Sequence, residues 1–219
     1  KNRSARACRH AYSGDMRSGT IVSSAMNRAV TPSSSKHAVL VEDACRRIEA
    51  AGAPPSLDDL AAQAGLSAFH FHRVFKAVTG LTPKAYAQAH RANIVRSELA
   101  KPRARVTEAM LDAGFNASSR FYEQADAMLG MTPSQYRDGG PDARIEFAIG
   151  QCALGAILVA RSQRGVCAIS LGDDTGVLLR ELQDRFPRAE LIGGNAAFEQ
   201  LVARVVGFVE QPNIGIALP

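Results

Sequence analysis

The stretch GLSAFHFHRVFKAVTG, from Gly65 to Gly80, decides how the chain folds. On a helix with 3.6 residues per turn it has two unlike faces. The apolar face consists of Phe71, Val74, Phe75 and Val78. The opposite face consists of Phe69, His72, Arg73 and Lys76. The pattern predicts a helix anchored on one side, which presents aromatic and cationic groups on the other. The contacts expected for the anchored side are Leu57, Leu60 and Leu66.

The two histidines in this stretch raise the alternative of a metal site. His70 and His72 are two residues apart, so on a helix they point about 200° from each other. A chelating pair needs a spacing of four residues, and no carboxylate or thiol lies near in sequence. The spacing therefore argues against zinc and favours a surface that contacts another molecule.

The residues just before this stretch predict a shorter helix and a sharp turn. Ser56 with Asp59 three residues later has the form of a capping box, which begins a helix. That helix, LDDLAAQAG, ends at Gly65, where glycine tolerates a positive φ. Helix, glycine turn and helix together form a helix-turn-helix. A preceding helical pattern begins at Val39 and ends before AGAPP.

The unit recurs about 50 residues later as GFNASSRFYEQADAMLGMTPSQY, from Gly114. The same offset pairs Gly80-x-Thr-Pro with Gly130-x-Thr-Pro, which indicates two similar subdomains. The segment TPKAYAQAHRANIVRSELA predicts a long helix that joins them. The second copy is less basic on its outer face. If this surface contacts a nucleic acid, we therefore expect the second copy to contact fewer bases than the first. Its outer positions are Ser118, Ser119, Arg120, Tyr122 and Glu123.

The charge distribution points to a polyanion as partner. The chain has 219 residues, a net charge of +5 and 46% apolar residues. Residues 70–105 carry eight Lys or Arg against the single Glu98, although a solvated helix face is an equal alternative on charge alone. The partner that suits these side chains is DNA. The residues expected to contact its bases are Phe69, His72, Arg73, Ser118, Ser119 and Arg120. The expected backbone contacts are Lys76, Lys84, Arg91 and Tyr122.

The residues before and after the repeat have other sequence patterns. Residues 1–38 show no sustained period and predict an irregular, disordered basic segment, with TPSSSKH as a linker. Residues 143–219 predict β-runs, with a hairpin turn at QRG, followed by two amphipathic helices. We interpret this part as an α+β unit separate from the helical part. Cys45 and Cys167 are expected to be small core residues.

At this point the motifs carry a resemblance. Residues 39–138, with two helix-turn-helix units each closed by Gly-x-Thr-Pro, resemble the AraC-type DNA-binding domain. The segment GQCALGAILVARSQRGVCAISLGDD resembles the part that follows this domain in Ada-type alkylation-response regulators. The resemblance implies a mainly α fold: two helix-turn-helix subdomains joined by a long helix, then a small ribonuclease-H-like half-domain. It implies a sequence-specific transcription regulator that binds double-stranded DNA as a monomer, with RNA polymerase as a further candidate partner. We expect no membrane association and a cytoplasmic, nucleoid-associated location.

The chain departs from the Ada pattern in its cysteines. The zinc module of that family uses four cysteines, whereas residues 1–37 offer only Cys8, so we expect no zinc. The acceptor of the family's methyltransferase lies in a Pro-Cys-His-Arg motif, which this sequence lacks, and Cys152 and Cys167 do not replace it. We therefore expect a chain truncated at both ends. A methylated-DNA–protein-cysteine methyltransferase is the alternative function, and a non-functional remnant is a third reading.

Overall fold

The computed structural model describes residues 32–210, except the side chains of residues 32–35 and 208. The first part of this range is helical: α1 (Pro32–Ala50), α2 (Leu57–Gln63), α3 (Ala68–Thr79), α4 (Pro83–Leu99), α5 (Val106–Asp112), α6 (Ser118–Leu129) and α7 (Pro133–Arg137). The second part is mixed: β1 (Arg144–Cys152), β2 (Gly155–Ser162), β3 (Gly165–Gly172), α8 (Thr175–Arg185), β4 (Glu190–Gly193) and α9 (Ala196–Glu210). Within residues 32–210, no helix has the length and apolarity needed to cross a bilayer.

The first helix begins earlier than predicted. The irregular segment was expected to reach residue 38, but α1 begins at Pro32, so TPSSSKH is not a linker throughout. Proline is compatible with the first turn of a helix, because the amide hydrogen that it lacks would have no helical partner there. The rest of the predicted irregular segment, residues 1–31 with Cys8, lies outside the described residues.

The first helix-turn-helix unit has a core of its own. Helices α1 to α4 bury Val41, Ala44, Cys45, Ile48, Leu60, Ala61, Phe71, Val74, Phe75 and Ala87. Leu66 and Val78 pack against this cluster. Leu57 does not: it is 37% exposed, because it occupies the first position of a two-turn helix beside the exposed Asp58 and Asp59. The predicted apolar face of α3 is confirmed.

The caps and turn of this unit follow the sequence signals. Ser56 Oγ accepts a hydrogen bond from the Asp59 amide at 3.1 Å and donates to its carboxylate at 2.6 Å. Gly65 adopts φ +65° after α2, and Ser67 then caps α3 by accepting from the His70 amide. Gly80 ends α3 with φ +77°. These local bonds fix the direction in which α3 leaves the turn.

The second unit repeats this arrangement with α5, α6 and α7. Helix α4 is shared: it packs on the first unit through Ala87 and on the second through Ala92, Val95 and Leu99. Gly114 and Gly130 adopt φ +73° and +65°, as at the matching turns of the first unit. Thr132 forms a full capping box with Gln135 at the start of α7.

The four strands form one mixed sheet in the order β3-β2-β1-β4. β1, β2 and β3 are antiparallel neighbours, and the predicted hairpin turn at residues 163–165 joins β2 to β3. β4, which the sequence analysis did not predict, follows α8 and pairs in parallel with β1. Asn195 caps α9 by accepting from the Phe198 amide at 3.0 Å.

The sheet unit is not separate from the helical part, contrary to the prediction. Strand β2 is buried on both faces. Ile157 and Val159 face α9, together with Phe198 and Leu201. The alternate residues join one cluster with the second helix-turn-helix unit and α8: Ala156, Leu158, Ala160, Phe121, Leu129, Met131, Tyr136, Leu178 and Phe186. The second unit therefore shares its core with the sheet.

Polar and close backbone contacts reinforce this junction. The Arg185 guanidinium lies 4.0 Å from the centroid of the Tyr136 ring. Ser162 Oγ donates to the carbonyl of Gly130. A Cβ added at Gly130 would lie 2.6 Å from the Gly165 carbonyl oxygen, so glycine is needed there for close approach as well as for φ. The Arg188 amide donates to the Gly139 carbonyl at 3.0 Å.

Candidate nucleic-acid interface

Helix α3 presents the predicted side chains on its outer face. Phe69 is 73% exposed, although aromatic residues of this size are usually buried. Arg73 lies one turn further along, with its Cζ 5.8 Å from the centroid of the Phe69 ring. Lys76 is exposed two turns beyond Phe69 and one turn beyond His72, which is half-buried. The face is therefore apolar at its beginning and cationic along its middle.

The anchored side of α3 fixes this face in place. Phe71 and Phe75 are fully buried and pack against each other, with ring centroids 5.8 Å apart. Phe75 also contacts the Tyr86 ring edge-on at 5.8 Å. Two buried aromatic rings on one side and the Ser67 cap at the beginning leave the helix little freedom to rotate.

The geometry gives no support to a metal site at the histidines. His70 is exposed, and its ring meets His37 of α1 at 5.9 Å, edge to face, as a simple aromatic contact. Among residues 32–210, no group of three or more His, Cys, Asp or Glu side chains could hold a metal ion. His70 is an exposed residue of α3 that the expected contact set omitted, because its helical angle lies between the two faces.

Helix α6 presents the matching positions of the second unit. Ser118, Ser119 and Arg120 are exposed in its first turn. Tyr122 is 57% exposed, and its ring packs edge-on against the buried Phe121 at 5.3 Å. Unlike Ser67, the residue before this helix, Ala117, offers no side-chain cap. The face is uncharged except for Arg120 and the acidic residues of the following turn.

The residues expected to contact a nucleic-acid backbone divide into two groups. Lys76 and Lys84 are exposed, the latter in the first turn of α4. Arg91 is instead half-buried: its Nη2 donates to the Gly114 carbonyl at 2.8 Å, and its Cζ lies 4.8 Å from the centroid of the Phe115 ring. Desolvation lowers the pKa of Arg91 from its usual value. Arg91 therefore positions the second unit on α4, and its contact with a nucleic-acid backbone stays a prediction.

Two of the three cysteines in the described residues are buried thiols. Burial raises the pKa of Cys45 to about 11 and that of Cys167 to about 12, so both are protonated thiols at neutral pH. Cys152 is half-buried at the end of β1, where its thiol donates to the Gly155 carbonyl at 3.2 Å. Cys45 and Cys167 lie in the cores of the first unit and the sheet junction, as expected.

The chain is similar to known regulators. The family of helix-turn-helix domains matches residues 60–139. The chain is 45% identical over 179 residues to the "Bifunctional transcriptional activator/DNA repair enzyme Ada" of Escherichia coli K12, covering 82% of this chain and 50% of that protein. It is 43% identical over 176 residues to the "Regulatory protein ada" of Salmonella typhimurium LT2, covering 80% and 49%. The chain thus spans about half the length of these curated relatives.

A solved structure, described as a transcriptional regulator with an AraC-type DNA-binding domain from Chromobacterium violaceum, matches 49% of this chain and 94% of its own. The two chains are 27% identical, and the TM-score is 0.40.

Proposed function

We infer that this chain binds double-stranded DNA sequence-specifically. The inference starts from its similarity to Ada-type regulators and from its helix-turn-helix domain. We propose that it regulates transcription in the response to DNA alkylation. The observation that carries the proposal is the two-faced helix α3. Its buried side is aromatic and fixed, and its free side exposes Phe69 and Arg73 together.

The side chains of α3 suit the edges of base pairs. An arginine can bond to O6 and N7 of guanine through two guanidinium nitrogens, and an aromatic surface can pack on the methyl group of thymine. In this proposal Arg73 and Phe69 read bases, and His72 adds a bond to a base or phosphate. Lys76 and Lys84 contact phosphates, which position the helix without specifying sequence. The exposed Phe69 beside Arg73 favours a contact surface over an ordinary solvated face.

Helix α6 is proposed as the second reading helix, with a weaker contribution to specificity. Ser118, Ser119 and Arg120 are placed to reach base edges from its first turn, and Tyr122 to reach the backbone. Helix α4, which joins the units, has 17 residues and is therefore about 25 Å long. A connection of that length is compatible with two helices that enter successive major grooves from one monomer.

The sheet unit supports the link to alkylation repair. We propose that residues 143–219 are a ribonuclease-H-like half of a methyltransferase domain and that residues 39–138 are the DNA-binding domain. A meander of three antiparallel strands, followed by a helix and a strand parallel to the first, supports this assignment. Alkyl transfer is the second candidate function, and the similarity to a relative named a DNA repair enzyme favours it.

Selection of bound duplexes from a random-sequence pool tests the proposed DNA binding. The chain should enrich a sequence motif, and Arg73→Ala should lose about 1–3 kcal/mol of specific binding to it, since one bidentate base contact is removed. Arg180→Ala, at an exposed position of α8, is the matched control and should bind as the unchanged chain does. An Arg73→Ala variant that enriches the same motif with the same affinity would exclude the role of Arg73.

Incubation with methylated DNA tests the second candidate. Mass spectrometry of the full chain should show a methyl adduct on Cys152 or Cys167 if the described residues carry the acceptor. The raised pKa of Cys167 leads us to expect no adduct there, because the thiolate is the nucleophile.

A further inference from the structure

The two exposed helices differ one turn beyond their central outer residues. The 50-residue offset that relates the units pairs Lys76 of α3 with Asp126 of α6. Lys76 is proposed above to contact a DNA phosphate. A carboxylate at the matching place repels a phosphate, so α6 cannot make this contact with its own side chain. At this place the second unit can match the first only with a cation from another part of the chain.

Such a cation reaches α6 from the turn between β2 and β3. Nη1 of Arg164 lies 3.1 Å from Oδ2 of Asp126 and 3.2 Å from its Oδ1. The Arg164 side chain nevertheless stays 52% exposed. Both bonds use Nη1, so the other two guanidinium nitrogens keep their donor hydrogens for a second partner.

The turn that carries Arg164 is held firmly against α6. Ser162 Oγ donates to the Gly130 carbonyl and accepts from the Arg164 amide at 2.9 Å. Asp126 follows Tyr122 by four residues and Glu123 by three, so all three lie on one stripe of the helix. Arg164 therefore lies beside the stripe of α6 that is proposed to face DNA, one turn from Tyr122.

The same turn borders a groove of about 490 Å³ with mainly cationic walls. Three arginines and one carboxylate line it: Arg144, Arg161, Arg164 and Glu146. Nη2 of Arg161 is held by Glu146 at 2.8 Å, and its Cζ lies 4.9 Å from the centroid of the Phe198 ring. Arg144 is exposed. The groove is charge-complementary to a phosphate backbone that runs past the C-terminal half of α6.

We propose that Arg164 contacts a DNA phosphate beside α6, with Arg144 further along the same backbone. The sheet unit then completes the DNA-binding surface of the second helix-turn-helix unit. This inference rests on the proposed DNA binding and adds a partner surface that the helical domain alone does not contain. The competing reading is that Arg164 and Asp126 form only a latch between the hairpin and α6.

Paired substitutions separate the two readings, because Asp126 would support a latch but oppose a phosphate contact. The full chain, Arg164→Gln, Asp126→Asn and Lys76→Gln are titrated onto a non-specific duplex of about 30 base pairs at several salt concentrations. We expect Arg164→Gln to bind roughly three- to tenfold more weakly, with a salt slope smaller by about 0.9, the value of one phosphate contact. We expect Asp126→Asn to bind more tightly by a similar factor.

Arg204→Gln is the matched control, because Arg204 is exposed on α9, which covers the opposite face of the sheet. It should bind as the unchanged chain does. Equal weakening by Arg164→Gln and Asp126→Asn, or binding unaffected by Arg164→Gln, overturns the proposal. If Lys76→Gln weakens binding while Arg164→Gln does not, only this inference fails. If the unchanged chain does not bind the duplex, the proposed function itself fails.

Discussion

The two helix-turn-helix units have the same local signals but different surroundings. In the first unit, α1 and α4 complete a core that contains only helices. In the second, the same apolar positions of the reading helix pack into a core that also contains β2 and α8. Repeated sequence therefore fixes the turn and the two faces of each helix, whereas the neighbouring element decides whether the unit is independent.

The outer faces of α3 and α6 differ in charge. The first helix has Arg73 and Lys76 where the second has Glu123 and Asp126. The unit with its own core carries its own cations, and the unit that is covered by the sheet receives Arg164 from it. Three pairs of substitutions, in order of expected effect, test how far this contrast extends.

The largest effect is expected from Phe71→Ala and Phe121→Ala, which remove fully buried rings at matching positions. Each should cost about 3–5 kcal/mol of unfolding free energy by leaving a cavity. The two variants should differ in which core opens. Thiol labelling near pH 8 measures this opening, because Cys45 and Cys167 react only when they become exposed. Phe71→Ala should accelerate labelling of Cys45, and Phe121→Ala that of Cys167. Equal acceleration of both thiols by each variant would show that the cores open together.

A smaller effect is expected from alanine at the paired glycines that end α3 and α6. Gly80 and Gly130 both have φ in the left-handed region, so either change should cost about 1–2 kcal/mol. Gly130→Ala should cost about 1–3 kcal/mol more, because the new Cβ would meet the backbone of Gly165 and Val166 within 2.7 Å. Urea denaturation measures both. Equal losses would mean that the hairpin moves aside without cost.

The smallest effect is expected at the helix caps. Ser67→Ala removes the side-chain acceptor at the beginning of α3 and should cost about 1 kcal/mol. Ala117→Ser supplies the missing acceptor to α6, whose Ala117 already has the extended backbone of a cap, and should stabilise it by a similar amount. Thermal unfolding of both variants gives the sign. A destabilised Ala117→Ser variant would indicate that the exposed amides of α6 already have another partner.

The parts of the fold that sequence could predict are those with local causes. The cap at Ser56, the left-handed glycine at Gly65 and the 3.6-residue period of α3 are each decided within a few residues, and the structure places them as expected. The exposure of Phe69 and Arg73 followed from the same period. The predicted core contact of Leu57 was wrong, because periodicity shows which side of a helix a residue faces but not how far along the helix the core extends.

The junction between the second unit and the sheet depends on long-range packing, and no motif announces it. One signal was present: the run Ala156–Ala160 is apolar at every position, as expected of a strand that is covered on both faces. A half-exposed sheet would have alternated. The contacts of Arg91 with Gly114 and Phe115 could not be predicted, because a cation on a helix surface and one folded over an aromatic ring look alike in sequence. The short strand β4 has too few residues for a readable pattern.

The shared core has a consequence for building hybrid proteins. The first unit can in principle be exchanged for a relative's by a crossover within α4, where its packing residues give way to those of the second unit. A crossover near residue 140 would instead strip the covering from Leu129, Met131 and Tyr136. Recombinants of the latter kind should aggregate, so a crossover within α4 should give the better-folded hybrids.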